Sequence, residues 1–291
     1  EGGDDVVSGD AQAIAKKYAE SKSENFAEGD KNKAGNDDID VDKGDNLVAG
    51  DSQAVSKWDS AKAYGNNDAS DGDGSKAGND YIEARYGDDT ISGGAQAYAD
   101  DYAYAEQKNH AGGHWDNKDD YNEAGNDTIH ADGGENVVAG DAQAISEDKN
   151  AKADSHNHAD KDDCNKAGND KITSGHSKDV ISGDAQAIAE RGYAESKSEN
   201  KAEGDEDNTA GNDSIYAGGG NNLVAGDSQA IGKTANAYGD NKAYDDHSNG
   251  AGNDYIETQS GRDTVSGGAM AVAVLGALAD QDNYAEKGKA G

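Results

Sequence analysis

The amino-acid sequence predicts an all-β fold: a parallel β-solenoid with coils of about 43 residues. Three observations predict it. The tetrapeptide AGND occurs six times, starting at Ala34, Ala77, Ala124, Ala167, Ala210 and Ala251, at successive spacings of 43, 47, 43, 43 and 41 residues. In the first five copies the distance from that Ala to the Gln of a QA pair is always 19 residues (53 − 34 for Gln53; likewise Gln96, Gln143, Gln186 and Gln229), and the sixth copy puts Met270 there. Finally, segments such as AQAYADDYAYA from Ala95 alternate strictly, with Ala95, Ala97, Ala99, Ala103 and Ala105 on one face and Tyr98, Tyr102 and Tyr104 on the other. Period-two spacing makes a strand with two distinct faces.

Composition argues against an ordinary globule. The 291 residues include 40 Gly, no Pro and one Phe, and the formal charge is −34. High charge with few large apolar residues ordinarily means disorder, because too little surface is buried to offset chain entropy. A disordered chain has no reason to hold a 19-residue spacing, however, and self-similarity at a fixed period signals a repeat architecture. Its excess negative charge calls for neutralisation, which bound cations supply directly. The acidity excludes nucleic acid as a partner, since nothing here displaces counterions from phosphate. No stretch reaches membrane-spanning length, so membrane insertion is not expected. The most apolar run, AMAVAVLGALA from Ala269, has 11 residues and alternates like a strand. Cys164 stands alone, so no intrachain disulfide forms. The sequence has no initiator Met and no signal peptide, which reads as a processed chain or a fragment.

Each repeat begins with a fixed unit and continues into a variable arm. In the Gly-Asn-Asp step, Gly lets the backbone turn tightly, and an Ile follows two residues beyond it (Ile39, Ile82, Ile129, Ile172, Ile215 or Ile256). A second turn follows, carrying Asp at Asp89, Asp179 and Asp263 and Asn at Asn46, Asn136 and Asn222. A Gly-Asp step comes next at Asp10, Asp51, Asp141, Asp184 and Asp227, with Gly94 and Gly268 in the other two copies. The QA strand then leads into the arm, where all length variation falls. Tolerated insertions belong to loops on one side of a solenoid. A longer echo, DVVSGDAQAIA from Asp5 returning as DVISGDAQAIA from Asp179, indicates a duplicated block of about four repeats. The whole of 1–291 reads as one solenoid, with a partial repeat over 1–33.

In AGNDTIHAD followed by GGENVVAGD, Gly125 and Gly134, Asp127 and Asn136, and Ile129 and Val138 lie nine residues apart. This resembles the RTX (repeat-in-toxin) calcium-binding nonapeptides, of pattern G-G-x-G-x-D-x-U-x. The G-x-D-x-U part is present six times, as Gly35 to Ile39, Gly78 to Ile82, Gly125 to Ile129, Gly168 to Ile172, Gly211 to Ile215 and Gly252 to Ile256. The resemblance implies Ca2+ as cofactor, ligated by turn carbonyls and the Asp carboxylate, with U facing the core. The candidate ligands are Asp37, Asp80, Asp127, Asp170, Asp213 and Asp254 with their neighbours Asn36, Asn79, Asn126, Asn169, Asn212 and Asn253. Asp89, Asp179 and Asp263 of the second turn and Asp10, Asp51, Asp141, Asp184 and Asp227 of the Gly-Asp step join them, the last group as ligands or as plain turn formers. Coils stacked at about 4.8 Å would place the AGND carboxylates in one ladder, untenable without cations between the rungs. Asn in the second turn keeps a carbonyl oxygen but loses charge, so weaker binding is expected there. The long arm has no counterpart in the family's 18-residue coil, which favours one wide coil per repeat over two narrow ones.

Other constellations are weak. His156, His158 and Cys164 suggest a soft-metal group in a polar loop, and His110, His114 and Trp115 a surface loop. A repeat array without singular residues is not expected to be an enzyme, and no Thr row recurs to make an ice-binding face. The expected function is a secreted, extracellular or cell-surface structural solenoid, as fibre, adhesin stalk or surface-layer component; the alternative is the calcium-binding portion of a secreted enzyme or toxin. Neither end of the sequence shows a polar cap, so copies of the chain are expected to stack head to tail into a filament, with Ala269 to Ala279 near the junction.

Overall fold

The computed structural model describes residues 4–28, 33–70, 75–112, 122–160, 165–203, 208–244 and 250–285. Every regular element among them is a strand, and every pairing is parallel. The coil that begins at Ala77 shows the path. Strand Tyr81–Tyr86 turns into Thr90–Ser92, then Gln96–Ala99, then the long strand Tyr102–Gly112, and the next coil opens with Glu123–Ala124. Each strand pairs with its equivalents one coil before and one coil after. Ile82 lies between Ile39 and Ile129, Gln96 between Gln53 and Gln143, and Asn109 between Asn67 and Asn157. One repeat is therefore one wide coil, as the unbroken register requires.

Equivalent strands stack into a six-stranded first sheet (Asp38–Lys43 through Tyr255–Thr258) and a seven-stranded second sheet (Val6–Ser8 through Thr264–Ser266). A six-stranded short sheet runs from Lys33–Ala34 through Gly250–Ala251. The QA strands and long strands form two ribbons of one twelve-stranded sheet, joined because Gln229–Tyr244 and Met270–Ala285 run through both without a break. Elsewhere a charged turn separates the two, Asp100-Asp101 or Glu147-Asp148-Lys149 for example. The 41-residue spacing is taken up at this turn, where Gln229–Tyr244 has only a bulge between Gly232 and Thr234. The extra residues of the 47-residue spacing fall after Gly112 and outside the described residues.

Three apolar cores run along the stack. Between the first and second sheets lie the branched residues Ile82, Ile91, Ile129, Val138, Ile172, Ile181, Ile215 and Val224, all fully buried. The U positions face inward here, as expected. The second core is almost pure alanine: Ala97 and Ala99 of a QA strand pack with Ala103 and Ala105 of the long strand after it, coil upon coil. Ala methyls let two ribbons approach closely where larger residues would be overpacked. A third, smaller row joins Ala111, Ala159 and Ala202 at the ends of the long strands to Ala124, Ala167 and Ala210 of the short sheet. Between its two alanine stretches the inner face of each long strand turns polar, as in Gln107 and Asn109 or Ser155 and Asn157. That polar window faces the acidic turns.

Two expectations about histidines need correction. His110 lies in Tyr102–Gly112, and His156 and His158 lie in Asn150–Asp160, on strands and not in loops. Alternation continues through this polar sequence, so Asn109 and Asn157 point inward and the histidines form a half-buried outer row. The rings of His110 and His158 lie 5.3 Å apart, tilted by 42° to one another. His114, Trp115 and Cys164 fall outside the described residues.

Candidate metal centre

The AGND turn is fixed by glycine. Gly125 has φ +59°, in the left-handed region that costs other residues about 1–2 kcal/mol, and a Cβ there would lie 2.1 Å from Asn157 Oδ1. Gly78 and Gly168 repeat both features. With the backbone so turned, two side-chain ladders run in opposite directions. Each AGND Asp accepts from the backbone of the coil before: Asp37 N–H donates to Asp80 Oδ1 at 2.6 Å, Asp80 to Asp127 at 2.7 Å, Asp127 to Asp170 at 2.7 Å, Asp170 to Asp213 at 2.8 Å and Asp213 to Asp254 at 3.0 Å. Each AGND Asn accepts from the coil after: Asn79 N–H donates to Asn36 Oδ1, and Asn126, Asn169, Asn212 and Asn253 continue the series. The Asn side chains thus sit on the half-exposed outside of the turn, while the carboxylates point in.

The second oxygen of every AGND carboxylate has no partner. Oδ2 of Asp37, Asp80, Asp127, Asp170, Asp213 and Asp254 is buried and accepts no hydrogen bond. It is directed at the Gly-Asp step, where a Cβ on Gly50 would lie 2.0 Å from Asp80 Oδ2 and one on Gly183 would lie 1.9 Å from Asp213 Oδ2. The Gly-Asp residues arrive from the other side. Asp51, Asp141, Asp184 and Asp227 are fully buried, so they are not surface turn formers, whereas Asp10 in the first coil is exposed. Among the described residues, three groups of three carboxylates each offer oxygens within 4.8 Å of one another: Asp10, Asp37 and Asp51; Asp141, Asp170 and Asp184; Asp184, Asp213 and Asp227. Burial, with neighbouring carboxylates adding to it, drives the Asp80, Asp170, Asp184 and Asp213 carboxyls well above the usual carboxylate range. The Asp227 carboxyl is pushed up to about 8 and that of Asp254 to about 7, again by burial first.

Such a stack needs positive charge. A cation with several hard oxygen ligands at about 2.3–2.6 Å spans oxygens up to twice that distance apart, and the carboxylate groups here fall inside that span. The donors at this seam are all oxygen: unpartnered carboxylates beside turn carbonyls such as Gly93 O and Gly226 O. The set suits a hard divalent ion and not a soft one. Comparison with protein families then decides which. A model described as the RTX calcium-binding nonapeptide repeat matches residues 76–97, 123–144, 166–187, 209–230 and 249–269. These are RTX repeats. Their ion is calcium. No curated protein and no solved structure gave a match.

Within these RTX repeats the second turn differs from the first. Along the stack its residue alternates strictly as Asn46, Asp89, Asn136, Asp179, Asn222 and Asp263, each accepting through Oδ1 from the backbone N–H of the coil before. Every carboxylate there has neutral neighbours, and Asn46 Nδ2 also donates to Asp89 Oδ1 at 3.0 Å. Alternation halves the charge density, so this ladder stands with less help from cations than the AGND ladder does. Asp89 Oδ2 and Asp179 Oδ2 are nevertheless buried without partners.

Sequence reasoning missed a third party to the site. The inward Asn of each long strand forms a continuous amide ladder, Asn25, Asn67, Asn109, Asn157, Asn200, Asn241 and Asn283, with Nδ2 donating to the next Oδ1 at 2.9–3.1 Å. The same amides hold the Gly-Asp carboxylates: Asn67 to Asp51 at 2.9 Å, Asn157 to Asp141 at 2.7 Å, Asn200 to Asp184 at 2.9 Å and Asn241 to Asp227 at 2.7 Å. The signal was present as an Asn about 14–16 residues after each Gly-Asp step. It lay in an arm whose varying length masked the phase.

Proposed function

We propose that this chain is a secreted, calcium-stabilised structural solenoid, a length of extracellular fibre, adhesin stalk or surface-layer material. The observation that carries the reading is the uniformity of the coil along the stack. The Gln, Asn and Asp ladders and the alanine rows each continue from coil to coil, so the chain is built as a rod whose stability is a sum of like interfaces. An RTX stack gains its cation where free calcium is plentiful, which outside the cell is the ordinary condition. The same uniformity, with like interfaces from coil to coil, supports end-to-end assembly of copies as part of this reading. The test is electron microscopy and light scattering of the purified chain in millimolar calcium. Rods longer than one chain are expected; monodisperse monomers at high concentration would instead favour the calcium-binding portion of a secreted enzyme or toxin.

A further inference from the structure

We propose that the seam where the AGND turns meet the Gly-Asp turns holds a row of buried calcium sites, each made by carboxylates from three turns, and that Gln107 and Gln281 interrupt this row. The inference rests on the calcium reading above and adds which carboxylates hold the ion and where the row stops. In the AGND turn alone, one Asp oxygen serves the backbone ladder and the other faces inward. The interior site completes its shell with side chains from the Gly-Asp step of two successive coils. Asp170 lies between Asp141 and Asp184, and Asp213 between Asp184 and Asp227, with oxygens inside a calcium-sized span. Asp170 Oδ2, Asp184 Oδ1, Asp213 Oδ2 and Asp227 Oδ2 have no hydrogen-bond partner, and these four residues are at most 1% exposed. The Asn ladder occupies one oxygen of Asp184 and of Asp227 and leaves the other free. Unpaired carboxylates at such burial are costly, and a divalent ion shared among three of them removes most of that cost.

The interruption is equally specific. Where Gly94 replaces Asp in the Gly-Asp step, the facing position of the long strand is Gln107; in the Asp-bearing coils it is Ser23, Gly65, Ser155, Ser198 or Gly239. A Cβ on Gly94 would lie 2.5 Å from Gln107 Cδ, and one on Gly65 would lie 1.9 Å from Gln107 Oε1. The Gln side chain therefore fills the space the missing carboxylate would take and leans over the preceding coil. Its Nε2 donates to Asp51 Oδ2 at 2.6 Å and Asn109 Oδ1 at 2.7 Å, giving Asp51 a neutral donor in place of an ion. Gln281 stands in the same relation to Gly268 and Gly239.

Equilibrium dialysis of the full chain against calcium, with metal counted by mass spectrometry, tests both halves. Asp184 belongs to two of the three carboxylate groups, so Asp184→Asn, which keeps shape and hydrogen bonding, is expected to bind two fewer ions per chain. Gly94→Asp with Gln107→Ser rebuilds the Asp-Ser pairing of the neighbouring coils and is expected to bind more ions than the native chain. Gln107→Glu, a minimal change, checks the same gain should the double variant fold poorly. An unchanged count for Asp184→Asn would overturn the interior row, and an unchanged count for both Gln107 variants would overturn the interruption. If the native chain itself bound no calcium, the RTX reading would fail first, and the two failures are thereby distinguishable.

Discussion

At the residue scale, the site works because small residues let charged ones converge. Gly125 can neither leave the left-handed region nor carry a side chain, since Asn157 Oδ1 occupies the place of its Cβ. Gly125→Ala is therefore expected to cost at least about 1–2 kcal/mol from backbone strain alone, with displacement of the Asn ladder added; thermal unfolding in calcium measures it. The carboxylates can be ranked in the same way. Asp170 is buried between Asp127 and Asp213 with two Gly-Asp carboxylates at hand, whereas Asp254 is half-buried and has no third carboxylate because Gly268 stands in its coil. Asp170→Asn should lower calcium affinity several-fold more than Asp254→Asn, and equal losses in a calcium titration would argue against a stacked site. The AGND and Gly-Asp residues were legible in the sequence because each repeats at a constant offset. Gln107 was not, because its meaning depends on a glycine thirteen residues earlier that comes close only in three dimensions.

At the scale of the element, the amide ladders set register. Gln53, Gln96, Gln143, Gln186 and Gln229 are fully buried or nearly so; the first four donate to the next coil's Oε1 at 2.8–3.0 Å, and all five donate to a carbonyl six residues back in their own coil. Substituting Gln143 by Leu keeps volume but strips Gln186 Oε1 and Val137 O of their donor, a loss of about 1–3 kcal/mol per orphaned group; urea unfolding of the variant should show it. The alanine rows are constrained from the opposite side. Ala144 is fully buried in the alanine row, so Ala144→Leu should destabilise by about 1–3 kcal/mol or more through overpacking. Inward and outward faces of these strands were readable from the alternation at Ala95 to Ala105. The turn between them was not, because Ala99 and Ala103 lie an even number of residues apart and the phase passes through the corner unchanged. The histidine strands escaped notice for a related reason: polar residues on both faces hide a period of two.

At the scale of the whole molecule, charge governs stability. The calcium-free folded chain holds carboxyls whose proton affinity exceeds that of the unfolded chain, with Asp141 at about 6, Asp254 at about 7 and Asp227 at about 8. Between about pH 4 and these values the folded form binds more protons than the unfolded one, so its stability falls as pH rises through that window. With saturating calcium the sign reverses, because the bound form is deprotonated and protons compete with the ion. Thermal unfolding across pH 4.5 to 8 should therefore show opposite slopes in chelator and in calcium. The most direct test of the central claim, that cations convert this stack of carboxylates into a fold, is circular dichroism at pH 8. Exhaustive chelation should abolish the strand spectrum and calcium should restore it cooperatively. A strand-rich spectrum that survives complete removal of calcium at that pH would contradict the account.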